Sequence, residues 1–94
     1  MLNINQNAVF QNLTNGQIAT ISKARGISVL LNTNTDVIIE TISDDGVVLS
    51  SLELTDNQSL EITADGGNLL QTISVNCSNG TTSIVSLGGQ IVVS

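Results

Sequence analysis

The chain of 94 residues contains no His, Trp, Tyr or Pro, and only one each of Lys (Lys23), Arg (Arg25), Cys (Cys77) and Phe (Phe10). Each absence excludes something. Without His, the many Ser and Thr hydroxyls have no partner base, and the single Lys falls in a turn, so nucleophilic catalysis has no candidate pair. Two cations against eight acids give a net charge of −6. That leaves no basic cluster for phosphates and argues against nucleic acid as a partner. One cysteine cannot staple the fold. No apolar run approaches the ~20 residues of a spanning helix, which argues against a membrane partner. The N-terminus MLNINQNAVF has neither a basic nor an apolar leader segment, so synthesis in a cytoplasm is expected.

What remains is aliphatic and small polar. Ile, Val and Leu number 11, 9 and 11, and Asn, Ser, Thr and Gln number 11, 11, 10 and 6. The chain is too apolar for disorder and too short for two cores, which predicts one folded domain over 1–94. With at most one aromatic ring in the core, stability rests on aliphatic side chains worth roughly 1.5–3 kcal/mol each. Such a domain is marginal alone, and oligomerisation or docking on a larger assembly would bury the further surface it needs.

Turn signals recur about every ten residues, among them Asn15-Gly16, Asp44-Asp45-Gly46, Asp65-Gly66-Gly67, Asn79-Gly80 and Gly88-Gly89. They read as tight hairpin turns. Between them lie nine β-rich runs: 8–13, 17–22, 27–31, 37–42, 47–54, 58–63, 69–77, 81–87 and 90–93. Even spacing of short strands predicts an all-β sandwich or barrel of jelly-roll or immunoglobulin-like type, with 8–9 antiparallel strands. In 69–77 the residues Leu69, Ile73, Val75 and Cys77 form one apolar row, and 27–31 and 37–39 are nearly continuous apolar runs expected in central strands. Leu13-Thr14-Asn15-Gly16-Gln17 parallels Leu54-Thr55-Asp56-Asn57-Gln58, a weak repeat best read as shared turn chemistry. The stretch 1–7 alternates apolar residues with Asn and Gln, and can serve either as a first strand or as an arm added to a neighbour's sheet edge through Leu2 and Ile4.

No catalytic, cofactor or metal site is expected. Asp44-Asp45, Asp56-Asn57 and Asp65 lack the convergent spacing of a calcium loop and suit turns instead. Cys77 closes an apolar row and reads as a small core residue. Lys23 and Arg25 fall within three residues of each other in one turn, while the acids are spread along the chain. They form a candidate cationic anchor for an acidic patch on a partner or a neighbouring copy.

In its texture the chain resembles the small β-sandwich virion proteins of tailed bacteriophages, including capsid decoration (cement) proteins, head-fibre bases and tail components. The resemblance lies in Asn/Thr/Ser/Ile-rich strands, in the turns Gly16-Gln17, Gly89-Gln90 and Asp65-Gly66-Gly67, and in scarce Lys. It implies a non-enzymatic structural protein in a virus particle, bound to the major capsid or another virion protein in many copies, often as a trimer. A tail, fibre or connector role is the neighbouring expectation. A small lectin- or adhesin-like surface-binding module is the other, against which the scarcity of aromatic platforms counts. With two cations and no Pro to blunt sheet edges, partners, barrel closure or short strands are expected to protect them.

Overall fold

Alternation decides the strands. In the run Thr72–Asn79, Ile73, Val75 and Cys77 are buried while Thr72, Ser74 and Asn76 keep one face wet, the period-two signature of a sheet covered on one side. The computed structural model describes residues 8–94, which form nine strands, most of them with this pattern. They are β1 (Ala8–Thr14), β2 (Ile18–Ser22), β3 (Gly26–Leu31), β4 (Asp36–Ile42), β5 (Val48–Thr55), β6 (Ser59–Thr63), β7 (Thr72–Asn79), β8 (Thr81–Leu87) and β9 (Gln90–Val93). All pairings are antiparallel, in a four-stranded sheet of order β1-β8-β3-β6 and a five-stranded sheet of order β5-β4-β7-β2-β9.

The order has a simple logic. The partners β1·β8, β2·β7, β3·β6 and β4·β5 each sum to nine, as in one long hairpin bent at β4–β5 and rolled onto itself, with β9 added beside β2. This is a jelly roll. Its core is an aliphatic layer between the sheets, built from Leu13, Ile21, Val29, Leu31, Val37, Ile39, Ile73, Val75 and Ile84 among others. The apolar runs in β3 and β4 do lie in interior strands.

Two expectations need correction. First, of the glycine and Asn turns only Asp44-Asp45-Gly46 closes a hairpin. Among the described residues, only β4–β5 joins neighbours in one sheet, and every other connection crosses from one sheet to the other. Second, β7 begins at Thr72 rather than at 69. Leu69 is exposed, and Leu70 instead packs on the core, its N–H donating to Ala24 O at 2.8 Å. Phe10 stays out of the core: it is 70% exposed on the outer face of β1, leaving the core without an aromatic ring. Leu2, Ile4 and the possible arm at 1–7 lie outside the described residues.

The repeat seen in the sequence is a shared arch. After β1, Gln17 N donates to Thr14 O at 3.0 Å while the Gln17 side-chain carbonyl accepts from Thr14 N at 2.8 Å. After β5, Gln58 N donates to Thr55 O at 3.1 Å and its side-chain carbonyl accepts from Thr55 N at 2.7 Å. The residues that bend left-handed are Gly16 in one arch and Asn57 in the other. The buried Leu13 and Leu54 one residue earlier aim both arches at the core.

The same end of the molecule is locked by Thr35. Its buried hydroxyl donates to Thr81 O at 2.9 Å and accepts from Thr81 N at 3.2 Å. Gly80 sits against it at φ +81°, where an added Cβ would collide with the Thr35 hydroxyl and with Asn34 O.

The arches predict that Gln17→Ala or Gln58→Ala each costs about 1 kcal/mol in urea denaturation, the worth of one neutral hydrogen bond. Gln17→Glu and Gln58→Glu, which keep an accepting oxygen, should retain most of it. Equal losses in the Ala and Glu variants would show that the side-chain acceptor is not what holds the arch.

Candidate interaction surfaces

The thiol is placed where it does little. Cys77 is fully buried in the core row of β7, with Sγ 3.5 Å from Gly80 O and 3.6 Å from Asn79 O. Burial pushes its pKa above the ordinary thiol value. The acids are dispersed, and among the described residues no three His, Cys, Asp or Glu side chains gather as a metal-binding group.

The surface features are more telling. β5 is an edge strand of eight residues, and only Leu54 along it is buried. Val48, Leu49 (57% exposed) and Leu52 stand in solvent beside Val47. The ladder to β4 slips between Thr41 and Ile42, so that Thr41 faces Ser50 and Ile42 faces Val48, leaving Leu49 as the extra, bulged residue. From Ser50 to Thr55 the edge is regular, with no Lys or Pro to blunt it. The other edge of this sheet, β9, has only four residues.

Lys23 and Arg25 lie in the β2–β3 connection on either side of buried Ala24, both exposed. The backbone around them is a joint. Arg25 N donates to Leu87 O at 2.8 Å, Arg25 O accepts from Ala64 N at 2.9 Å, and Ala24 plugs that end of the core. Lys23 adopts φ +58°, which turns the chain outward there. Because β2 and β4 both run antiparallel to β7, their C-terminal ends lie together at one end of the five-stranded sheet. The cations after β2 and the exposed Asp44-Asp45 after β4 therefore occupy the same end, toward opposite margins. Spacing alone did not bring these four residues together; the topology does.

The outer face of the four-stranded sheet carries a third feature. Register places Phe10 beside Val85 and Asn12 beside Ser83, with Leu30 on the other side of Ser83. A groove of about 330 Å³ runs along β8 there, lined by Asn12, Thr14, Asn32, Thr81 and Ser83. Sequence reading missed this face because β1 is ambiguous. Val9, Gln11 and Leu13 make one row and Ala8, Phe10 and Asn12 the other, and each contains apolar and polar residues.

No family model matches the chain, and no curated protein matches it. Among solved structures, the crystal structure of PirA superposes with a TM-score of 0.54, covering 89% of this chain and 96% of that one at 10% sequence identity. At that identity the likeness is one of fold: the chain is a small all-β sandwich in two antiparallel sheets.

The burial of Cys77 predicts that an aromatic disulfide reagent reacts with it only as fast as the protein opens, in step with unfolding by denaturant. Because the folded pKa is raised, the unfolded chain ionises first. Stability should be level below the ordinary thiol range and fall as pH rises through it, and Cys77→Ala should remove that slope. Fast labelling of the native protein at neutral pH would contradict the placement.

Proposed function

We propose that this chain is a non-enzymatic structural protein of a virus particle, of the capsid-decoration kind, which covers and joins other subunits. The single observation that carries the reading is the β5 edge, where Val48, Leu49 and Leu52 are exposed beside backbone that has no second strand partner among the described residues. A free protein with such an edge is a template for pairing, and beyond the bulge at Leu49 only Glu53 among the side chains of β5 works against it. A strand of a neighbouring virion subunit supplies the missing ladder and covers the leucines. The acidic surface keeps the free protein soluble until it docks.

The copies assemble with one another head to tail. Lys23 and Arg25 after β2 and Asp44 and Asp45 after β4, interior strands on either side of β7, form a complementary pair of patches at one end of the molecule. Contacts between unlike patches close into a ring where the rotation from copy to copy completes a turn, and a trimer is the small ring expected. Many weak contacts held at once give a durable attachment.

Two measurements test this. Lys23→Glu with Arg25→Glu should drive the sedimenting species to monomer, and adding Asp44→Lys with Asp45→Lys should restore the ring, most clearly at low salt. A monomer at every concentration, or no response to reversal, would overturn the ring. Leu49→Lys with Leu52→Lys should leave the melting temperature nearly unchanged but release the protein from purified particles. There the wild-type protein should be found in a fixed ratio to the shell subunit. Retention of the double variant, or absence of the wild type from particles, would overturn the docking role.

A further inference from the structure

We infer that the groove on the outer face of the four-stranded sheet binds a neutral saccharide, with Phe10 as its stacking platform. This site is separate from the β5 edge and stands independently of the virion reading. The groove's side-chain lining is uncharged: two amides, Asn12 and Asn32, and three hydroxyls, Thr14, Thr81 and Ser83. Its volume, about 330 Å³, is at the lower end of small-molecule sites. The lining is also pre-ordered. Ser83 Oγ donates to Asn12 Oδ1 at 3.0 Å, and Asn32 Nδ2 donates to Thr81 Oγ1 at 2.6 Å. Those bonds leave Asn12 Nδ2 as a donor and Asn32 Oδ1 as an acceptor with no side-chain or backbone partner among the described residues. The two amides stand on either side of β8, Asn12 beside Ser83 and Asn32 beside Thr81, so each can meet a different hydroxyl of a ring laid along the groove.

The apolar half of the site adjoins the polar half. Phe10 is two residues from Asn12 on the same face of β1, about 6–7 Å along the strand. Leu30, 53% exposed, sits directly beside Ser83. A ligand with one apolar face and a rim of hydroxyls matches that juxtaposition, and a pyranose ring has that character. A purely apolar ligand would strand the amides, and a charged one would meet no counter-ion in the lining. An anionic sugar would in addition meet a chain of net charge −6. The one aromatic ring of the chain is thus spent on the surface, beside the groove, where a core function cannot explain it.

The test is an amide-proton NMR titration of the full chain with the methyl glycosides of glucose, galactose, mannose and N-acetylglucosamine, and with sialic acid as the anionic control. At least one neutral glycoside should shift Asn12, Thr14, Asn32, Thr81 and Ser83 together with the Phe10 ring, while sialic acid does not. Phe10→Ala, which lies outside the core, should melt as the wild type does and bind that glycoside about tenfold more weakly. Asn12→Ala should weaken it likewise. Shifts confined to another surface, no response to any neutral glycoside, a preference for sialic acid, or unchanged binding by Phe10→Ala would overturn the assignment.

Discussion

The structure depends on one constraint: an aliphatic layer, with no aromatic ring, must close two sheets over each other. Leu, Ile and Val side chains are small and branched, so the layer fills only if each strand contributes alternate residues in register. Leu13 and Ala19 on either side of the first arch, and Leu31 and Val37 on either side of the β3–β4 connection, are buried in the same layer from opposite sheets. Crossing at nearly every turn is how a short chain brings consecutive apolar residues to the same interior. The buried hydroxyls of Thr35, Thr82 and Ser86 each reach a backbone carbonyl, so the layer closes without an unpaired side-chain polar atom among the described residues.

The same constraint explains what is left outside. A thin layer has no room for Phe10, and β5 overhangs it, with Leu54 alone tucked in. The larger apolar groups that the core does not take therefore mark the surfaces. Apart from Leu69 before β7 and Val92 on β9, they fall in two separate places, the β5 edge with its bulged Leu49 and the β1–β8–β3 face with Phe10 and Leu30. The cations fall at a third.

Most of the strands were legible in the sequence because their signals are local. Alternation in Thr72–Asn79 and the turn residues at Asn15-Gly16 and Asn79-Gly80 depend only on neighbours in the chain. What connects to what was not legible, since a left-handed Gly16 or Asn57 serves a hairpin and an arch equally well. The choice is made by which strands share a sheet, a long-range matter. The two-sided pattern of β1 hid the exposure of Phe10 for a related reason. A Gln faces inward at Gln11 while a Phe faces out, and only pairing with β8 settles which row is which. Leu69 and Leu70 differ by one position and have opposite fates because Leu70 is held by Ala24 O across the β2–β3 joint.

Docking through the uncovered edge is the claim on which the functional account turns. Hydrogen–deuterium exchange on the protein, free and then in its assembled state, measures it directly. The free edge of β5 should exchange rapidly across 50–55 in isolated protein and become protected on assembly, while the interior strands β3 and β7 change little. Equal, rapid exchange of β5 in both states would contradict the account.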